Sequence, residues 1–428
     1  MIALDESHDP ARRSWVEKAN LPDAEFPIQN LPFGMFRTER GARLGVAIGG
    51  SILDLVAIAE LLGDVGGIVT ECEGKGLAPL IGRDPKAWSA VRRAVGRVLE
   101  RGASQGAAAA EHLVPMSAVE MLMPLRPGGY IDFFASIEHA TNVGRIFRPD
   151  NPLLPNYKYV PIAYNGRVST IRPSGAPVQR PRGQQRPQSE GAAPAVAPSR
   201  ALDYEMELGF FLGGTSRIGE PVPVDKAWEH IFGFCLLNDW SARDIQAWEY
   251  QPLGPFLGKS FATTISPWIV TAEALKPFRA APPSRPDGDP QPLPYLAEPA
   301  GALGGIDIRL EAHLRSSAED SGATKLGGAS SLGLYWTPGQ MVAHMTSNGC
   351  NVEAGDLLGS GTISSRDGGL GSLIEITRGA AEPLKLKDGT TRRYLEDGDE
   401  LILRGRCERD GFVSIGFGAC AGRIGPAL

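Results

Sequence analysis

The chain has few of the residues that build disulfide frameworks, structural zinc sites or membrane spans. Only five cysteines occur in 428 residues, and no two of them form a CxxC pair. This usage is typical of reduced thiols in the cytoplasm and argues against disulfides and zinc. No apolar run approaches the ~18–20 residues that a membrane helix needs. The first fifteen residues contain acidic side chains and no apolar core, so we expect no secretory signal and a cytoplasmic location.

An excess of basic charge and the common nucleotide-binding loops are also missing. The net charge is −6, which gives no electrostatic footprint for nucleic acid or a membrane surface as a partner. No GxGxxG or GxxxxGK[ST] sequence is present, so a nucleotide loop is unsupported. Histidine occurs only six times, and no cysteine has an evident histidine partner. We therefore expect a small-molecule substrate and metal-assisted chemistry with a histidine base.

Glycine and proline are, by contrast, abundant. The chain contains 53 glycines and 35 prolines, a composition that predicts many turns and a strand-rich fold. Residues 43–48 and 51–55 flank a Gly-Gly pair and predict a hairpin. Asp84 and the proline after it open a segment with apolar residues at helical spacing, which predicts a helix to about Arg101.

The character of the chain changes near residue 118, beyond which strand and turn signals become dense. We therefore predict two domains, at residues 1–117 and 118–428. Within the second domain, residues 183–199 and the Pro-rich residues 277–305 predict irregular surface loops. Near the C-terminus, residues 400–404 and 412–415 predict a pair of adjacent strands.

The most informative segment, residues 238–268, reads NDWSARDIQAWEYQPLGPFLGKSFATTISPW. If residues 239–250 form a helix, four polar side chains share one narrow stripe. These are Asp239, Arg243, Gln246 and Tyr250. The same spacing normally builds an apolar core face. A Gly/Pro turn then brings Lys259 and Thr263 close in sequence. A solvated helix face and one wall of an active site both remain open interpretations.

A second polar pattern lies in the strand-like residues 202–211. Glu205 and Glu207 are two residues apart, so their side chains share one face of a strand. A solvent-facing strand surface explains the pattern, and so does a site for a hard cation with oxygen ligands. Further oxygens would then come from Asp239 or Asp132. His139 lies in another polar segment, as a structural hydrogen-bonding group or as a base.

Long segments in a fixed order resemble the fumarylacetoacetate hydrolase family. They read FPIQNLPFGMF (from residue 26), RLGVAIGGSILDL (43), HATNVG (139), LDYEMELGFF (202), the whole 238–268 segment, NGC (348) and GDLLGSGTIS (355). The resemblance runs from about residue 26 to 424. It implies a mainly β fold with some α: a small N-terminal SH3-like barrel followed by a larger mixed β-roll. It also implies a homodimer.

The resemblance further implies roles for individual residues. A divalent cation, Mg²⁺ and/or Ca²⁺, would be held by four acids with two associated residues: Asp132, Glu205, Glu207 and Asp239, with Lys259 and Thr263. Catalysis would use a histidine base, the acid that orients it and three donors near the reacting oxygen: His139, Glu375, Arg243, Gln246 and Lys259. The substrate contacts would be Phe134, Arg148, Tyr164, Gln246, Tyr250 and Thr362.

The reaction implied by the family is hydrolysis of a carbon–carbon bond. Its substrate is 4-fumarylacetoacetate, and its products are fumarate and acetoacetate, at the last step of tyrosine and phenylalanine breakdown. Phe134 departs from the family, in which a tyrosine often offers its hydroxyl to the substrate. Another superfamily reaction on a related diketo acid (acylpyruvate hydrolase, decarboxylase or isomerase) therefore remains an alternative, and a non-catalytic metal-binding protein is a further one.

Overall fold

An antiparallel five-stranded sheet forms the N-terminal part of the protein. The computed structural model describes residues 2–187, 189–282, 284–317 and 322–428. The N-terminal strands are β1 (Phe33–Thr38), β2 (Gly41–Ile48), β3 (Ser51–Asp54), β4 (Leu113–Pro115) and β5 (Met121–Leu122). Their order in the sheet is β4-β3-β2-β1-β5. The predicted hairpin is confirmed, because β2 pairs antiparallel with β3 and Ile48 lies opposite Ser51.

Four α-helices lie between β3 and β4 in the chain, and one of them packs against the second part of the protein. They are α1 (Gly66–Glu71), α2 (Ala78–Ile81), α3 (Pro85–Leu99) and α4 (Gly106–Ala110). The predicted helix is α3, which ends at Leu99. Its N-cap Asp84 accepts a hydrogen bond from the Ala87 amide at 2.9 Å, which satisfies one free amide of the first turn. Trp88 packs edge-on against Phe232 of the second part, with ring centroids 5.3 Å apart.

The rest of the chain is mostly strands. In order, they are β6 (Tyr130–Phe133), β7 (Ala163–Asn165), β8 (Ile171–Pro173), β9 (Val178–Gln179), β10 (Arg182–Gln185), β11 (Ala195–Pro198), β12 (Leu202–Asp203), β13 (Met206–Leu212), β14 (Ile231–Asp239), β15 (Ser241–Ala242), β16 (Thr263–Ile265), β17 (Val270–Thr271), β18 (Arg279–Ala280), β19 (Gly305–Ile306), β20 (Arg309–Arg315), β21 (Thr324–Ser330), β22 (Leu357–Gly359), β23 (Leu384–Lys385), β24 (Thr391–Arg392), β25 (Glu400–Cys407) and β26 (Ile415–Gly425). The helices are α5 (Ile137–Phe147), α6 (Arg243–Glu249), α7 (Leu257–Ser260), α8 (Pro338–Thr346) and α9 (Leu373–Ile376).

An eight-stranded mixed sheet lies at the centre of this second part. Its order is β7-β6-β22-β13-β14-β16-β8, with β17 pairing to β14. Every residue of β13 and β14 is buried, because both faces of the sheet are covered. One face contributes Phe211 and Leu237 to a core shared with the N-terminal part, while the other contributes Phe210 and Leu236 to the core of the second part. The predicted mainly β class is confirmed, and the boundary near residue 118 stays a prediction.

A second sheet, in the order β21-β20-β25-β26-β9, packs behind the first. The predicted C-terminal strand pair is confirmed by the antiparallel pairing of β25 with β26. The boundary was wrong by a few residues, because β26 begins at Ile415 and Phe412 lies in the preceding turn. No helix in the described ranges combines the length and apolar character that crossing a membrane requires.

Two loop predictions were wrong in part. Residues 183–199 contain strand β11 and all of β10 except its first residue. The two strands pair antiparallel through four residue pairs. The reason is tertiary, since Gly183 lies against the side chain of Ile245 on α6. The described part of residues 277–305 is mostly irregular, with short 3-10 turns at Lys276–Phe278 and Pro294–Leu296 and the strands β18 and β19, which pair with each other. Gln188 and Pro283, one in each predicted loop, lie outside the described residues.

The predicted helix over residues 239–250 was wrong at its start. Asp239 is the last residue of strand β14, and α6 begins only at Arg243. The strand that begins at Ile231 is followed directly by Trp240, whose side chain is fully buried and donates to Thr264 at 2.8 Å. Packing of that indole keeps the chain extended, so Asp239 is placed by a sheet and not by a helical stripe.

Candidate functional site

Four carboxylates meet at one point of the central sheet. They come from β6, from the residue before β13, from β13 itself and from the end of β14: Asp132, Glu205, Glu207 and Asp239. One oxygen from each lies within 4.8 Å of the others, and all four residues are buried. Glu207 Oε1 has no hydrogen-bond partner in the described part of the chain. The solvent-facing interpretation of residues 202–211 is therefore wrong.

Neighbouring strands bring these acids together. Asp132 on β6 lies opposite Gly359 on β22, which in turn lies opposite Gly209 on β13. The segment expected as one strand is broken into β12 and β13, and Glu205 lies in the gap, bridged to Ser372. This break turns the Glu205 side chain toward the same point as Glu207.

A lysine and two hydroxyls surround the cluster on its far side. Lys259 Nζ donates to Asp239 Oδ2 at 2.6 Å and also to Glu205 Oε2. Tyr164 donates its phenolic hydrogen to Asp239 Oδ2 at 2.5 Å, and Thr263 Oγ1 lies 3.4 Å from Asp239 Oδ1. These three residues line a cavity of about 210 Å³ on this side. Buried charge is thus only partly balanced, because the four carboxylates meet the Lys259 ammonium and the Arg243 guanidinium, which is shared with Asp203.

Burial and mutual repulsion raise the pKa values of three of the four acids. Burial is the main cause for Asp132, whose pKa is raised further by the charge of Asp239. Burial and then the charge of Asp132 raise the pKa of Glu207. Burial also raises the pKa of Asp239, against the effect of Lys259. A divalent cation would relieve this repulsion, and buried carboxylate oxygens are ligands that Mg²⁺ and Ca²⁺ prefer. The four acids therefore form a site suited to a divalent metal ion.

Glu205 differs from its neighbours in its charge state. Burial alone would raise its pKa, but Lys259 and Arg243 together hold the pKa well below its ordinary value. Arg243 NH1 lies 2.7 Å from Glu205 Oε1. Glu205 is thus ionised near neutral pH even without a bound ion.

A histidine–glutamate pair lies beside the cluster. His139 is the third residue of α5, and its Nδ1 lies 2.7 Å from Glu375 Oε2 on α9. Its Nε2 lies 4.0 Å from Glu205 Oε1. Burial would raise the pKa of Glu375, but His139 and nearby donors lower it to about 2. An ionised Glu375 is an acceptor for a proton on Nδ1, and in the tautomer that this contact favours Nε2 is the nitrogen that can act as a base.

Further polar side chains hold Glu375 in place. Asn142 donates to Oε1 at 2.9 Å, Ser372 donates to Oε2 at 2.7 Å, and Ser364 lies 3.0 Å from both oxygens. These three residues were not predicted from the sequence as part of the site. For two of them the available signal was spacing: Asn142 follows His139 by three residues on one helix face, and Ser372 precedes Glu375 by three residues across the first turn of α9.

A cavity of about 320 Å³ opens over this pair. His139, Glu205 and Arg243 line its polar end, and Arg148 lies on its wall. Arg148 Nε is buried and has no hydrogen-bond partner within the described ranges. The rest of the wall is mostly apolar, formed by residues such as Leu153, with Gln246 and Tyr250 as polar members. Such a cavity fits a small molecule with one charged end and one polar reacting centre.

The structure brings seven of the fifteen predicted site residues to the lining of this cavity. Its lining includes four further predicted residues: Phe134, Arg148, Gln246 and Tyr250. Lys259, Thr263 and Tyr164 line the second cavity instead. Thr362 is buried near Gly371, with its hydroxyl unpaired among the described residues, and it is absent from the lining of both cavities.

Gly359 provides a direct test of the carboxylate site. A Cβ atom there would lie 2.5 Å from Asp132 Oδ1 and 3.1 Å from Glu207 Oε2, so a carboxylate would have to move. We expect Gly359→Ala to weaken divalent-cation binding by ~10–100-fold, as changes next to metal ligands commonly do. Isothermal titration calorimetry with Mg²⁺ and Ca²⁺ measures it. Gly67→Ala, which has open space around its Cβ, is the control, and equal affinities for the two variants would refute the site.

Comparison with known proteins places this geometry in a family. Residues 29–124 match the model of the fumarylacetoacetase N-terminal domain, and residues 130–424 match that of the fumarylacetoacetate hydrolase C-terminal domain. The chain belongs to the fumarylacetoacetate hydrolase family. It is 45% identical over 417 residues to fumarylacetoacetase of Arabidopsis thaliana and 43% identical over 418 residues to that of Rattus norvegicus. Each alignment covers 95% of this chain and 97% of the relative.

Solved structures share the fold of this fumarylacetoacetate hydrolase family member at much lower identity. Fumarylacetoacetate hydrolase from Exiguobacterium antarcticum superposes with a TM-score of 0.50 at 18% identity, over 92% of this chain and 99% of that one. The 5-carboxymethyl-2-hydroxymuconate delta-isomerase from Mycobacterium smegmatis superposes with a TM-score of 0.50 at 15% identity, over 93% and 100%. At such identities the likeness concerns the fold alone.

Proposed function

We propose that this protein hydrolyses 4-fumarylacetoacetate to fumarate and acetoacetate, as the last step of tyrosine and phenylalanine breakdown. The observation that carries the proposal is the His139–Glu375 pair, because His139 Nε2 lies 4.0 Å from Glu205, the member of the carboxylate cluster that lines the same cavity. The matches to curated fumarylacetoacetases over almost the whole chain support the same reaction. Hydrolysis of a carbon–carbon bond needs a base for water and a site that withdraws electrons, and both are adjacent here.

The residues proposed to hold a divalent cation, Mg²⁺ or Ca²⁺, are Asp132, Glu205, Glu207 and Asp239. When bound, such an ion polarises the oxygens of a 1,3-diketone and lowers the energy of the enolate that leaves. Lys259 and Thr263 both contact Asp239 on the far side of the cluster, where the Lys259 ammonium offsets negative charge and the Thr263 hydroxyl donates a hydrogen bond. Both ions take carboxylate oxygens, so the choice between them is left to direct measurement.

His139 is proposed as the general base. Nε2 takes a proton from water, and the water oxygen then forms a bond to the substrate carbonyl carbon. Glu375 fixes the imidazole through Nδ1 and stabilises the imidazolium that results. When the carbon–carbon bond breaks, its electron pair passes to the acetoacetate carbon. The proton on Nε2 returns to that carbon, so the histidine ends each cycle as a neutral base.

Arg243 and Gln246 are proposed to stabilise the tetrahedral oxyanion. Arg243 NH1 reaches Glu205 and also donates to Gln246 Oε1 at 3.2 Å, so both side chains are fixed before substrate arrives. Fixed donors of this kind commonly contribute ~3–4 kcal/mol at the barrier. The unpaired Nε of Arg148 fits a substrate carboxylate at the opposite wall.

The decisive experiment follows the loss of diketone absorbance with purified protein and 4-fumarylacetoacetate, and identifies the products by NMR. Stoichiometric fumarate and acetoacetate support the proposal. Release of CO₂ would point instead to a decarboxylase, and conversion to an isomer would point to an isomerase. The delta-isomerase of Mycobacterium smegmatis shares the fold of this protein. Turnover of acylpyruvates alone would indicate an acylpyruvate hydrolase, and cation binding without any turnover would indicate a non-catalytic metal-binding protein.

Phe134 lies in the cavity at a position where a tyrosine would offer a hydroxyl to the substrate. Its ring packs edge-on against His139, with centroids 5.5 Å apart, and it offers no hydroxyl. We expect Phe134→Tyr to lower KM about two- to tenfold with little change in kcat, because one added hydrogen bond is worth ~0.5–1.5 kcal/mol. Initial-rate kinetics measures both constants. Phe147→Tyr, at the exposed rim of the same cavity, serves as the control, and an unchanged KM for Phe134→Tyr would rule the contact out.

We also propose a homodimer in the cytoplasm, with domains at residues 1–117 and 118–428. The shared apolar core between Trp88 and Phe232 supports rigid docking of the two domains. Light scattering coupled to gel filtration tests the dimer, and separate expression of the two segments tests the boundary.

A further inference from the structure

Asp203 is a fully buried carboxylate that no metal site or catalytic step uses. It lies at the end of β12, two residues before Glu205, and its exposed fraction is 0%. Its Oδ2 accepts a hydrogen bond from Arg243 Nε at 2.9 Å and lies 2.8 Å from Arg243 NH2. One carboxylate oxygen therefore holds the guanidinium by a charge-assisted hydrogen bond and a close ion pair.

The same carboxylate is attached to the segment that carries Glu375. Asp203 Oδ1 accepts from the Leu373 amide at 2.7 Å, and Oδ2 accepts from the Ile374 amide at 3.2 Å. These amides belong to the first turn of α9. One side chain thus connects Arg243, on the oxyanion side of the cavity, with the helix that orients His139 on the other side.

Without this carboxylate, Arg243 would have a different balance of attractions. The guanidinium lies between two anions, because NH1 contacts Glu205 Oε1 at 2.7 Å while NH2 contacts Asp203. Removing the charge of Asp203 would leave Glu205 as its anionic partner. Arg243 would then be drawn toward a proposed metal ligand and away from the position where an oxyanion forms. A displacement of about 1 Å in such a group can cost ~10²-fold in rate.

We propose that Asp203 is a positioning residue that holds Arg243 in register with the His139–Glu375 pair. The inference rests on the proposed function, because the position of Arg243 relative to His139 matters when an oxyanion forms while His139 carries a proton. Asp203 acts through Arg243 and touches neither substrate nor ion.

The test is a double-mutant cycle on 4-fumarylacetoacetate with Asp203→Asn, which keeps the size and an acceptor oxygen but removes the charge. We expect Asp203→Asn to lower kcat by ~10²-fold with KM nearly unchanged, because the contact it supports forms only in the transition state. In the Arg243→Lys background the same change should cost only about twofold, since the two residues act as one unit. Equal losses in both backgrounds would overturn the proposal.

A matched variant separates positioning from general destabilisation. Asp399 is equally buried, pairs through both oxygens with Arg392 and accepts from the Glu396 amide. Asp399→Asn should lower stability to urea about as much as Asp203→Asn does, while leaving kcat within about twofold. A similar loss of kcat in Asp399→Asn would assign the effect of Asp203 to folding.

Failure of the proposed function would appear differently, because the parent protein without any substitution would not turn over the diketone. A crystal structure of Asp203→Asn then decides the inference on its own. Displacement of the Arg243 guanidinium toward Glu205 supports it, and an unmoved guanidinium overturns it.

Discussion

His139→Gln is expected to lower kcat for 4-fumarylacetoacetate by ~10²–10⁴-fold, the usual contribution of a positioned acid–base group. The reason is local, because among the described residues His139 is the one imidazole that both lines the cavity and lies near Glu205. Glutamine fills a similar volume, and its amide can still donate to Glu375. The fold and the affinity for divalent cations should therefore persist. Initial rates, circular dichroism and calorimetric titration with Mg²⁺ and Ca²⁺ measure the three properties.

The chain offers a matched control for this substitution. His313 also forms a pair with a glutamate, since its Nε2 lies 3.1 Å from Glu311 Oε2 on strand β20. That pair is more exposed and is absent from both cavities. His313→Gln should keep the full rate. If His139→Gln retained more than about a tenth of kcat, another group would have to activate water, and the assigned base would be wrong.

Glu375→Gln refines the same result. Glutamine keeps the contacts to Asn142 and Ser372 but no longer favours the tautomer in which Nε2 is free. We expect a loss smaller than that of His139→Gln, because the base itself remains. The order of the two losses distinguishes a base from the residue that orients it.

The sequence predicts the site residues better than it predicts how they are placed. Spacing alone brought Glu205 and Glu207 together, because side chains two residues apart share one face of a strand. It could not show that the chain breaks between β12 and β13, since that break depends on the bridge from Glu205 to Ser372. Nor could it tell buried from exposed, because acids on a strand are ordinarily solvent-facing.

The predicted stripe of residues 239–250 failed for a related reason. The sequence has helical periodicity here, but the chain stays in strand β14 through Asp239, next to the buried indole of Trp240. A tertiary contact to Thr264 overrides the local pattern. The stripe therefore divides into a sheet residue, Asp239, and helix residues that begin at Arg243. The two groups face different cavities, a separation that a single helix would not produce.

The sequence could not identify Asp203 as a functional residue, because its role depends on tertiary contacts. In sequence it continues the alternation of Glu205 and Glu207, which suggests a third member of one acidic face. Its partners lie 40 residues away at Arg243 and 170 residues away at Leu373. Only the fold brings these together, so the strand pattern could not separate a ligand from a residue that positions an arginine.

Removal of the divalent cation is expected to abolish turnover and to destabilise the protein at pH 8. Loss of the ion removes several kcal/mol of charge stabilisation from the transition state, on the order of 10²–10⁴-fold in rate. It also leaves four buried carboxylates facing the Lys259 ammonium and the Arg243 guanidinium, which is shared with Asp203. A cation present at 100 times its Kd would stabilise the folded state by about 2.7 kcal/mol. Urea unfolding with and without EDTA measures this difference.

The pH dependence of that difference follows from the direction of the pKa shifts. Burial first, and repulsion second, raise the folded-state pKa values of Asp132 and Glu207 above those of the unfolded chain. Between the unfolded and folded pKa values, the folded cation-free protein binds more protons, so its stability falls as the pH rises through that window. Protons and cation compete for the same oxygens. The cation-free protein should therefore be more stable at pH 5 than at pH 8, and the stabilisation by cation should shrink on acidification.

Glu207→Gln separates this explanation from a site that merely buries protonated acids. The substitution removes one of the repelling charges and keeps an acceptor for the Gly361 amide, which donates to Glu207 Oε2 at 3.1 Å. At pH 8 the cation-free variant should be more stable than the cation-free parent, while its affinity for Mg²⁺ and Ca²⁺ falls. If the variant were less stable without cation, Glu207 would be a protonated hydrogen-bonding group and the four acids would not act as one ligand set. Repulsion that costs stability in the free protein is, in this arrangement, what gives the carboxylates their affinity for the ion.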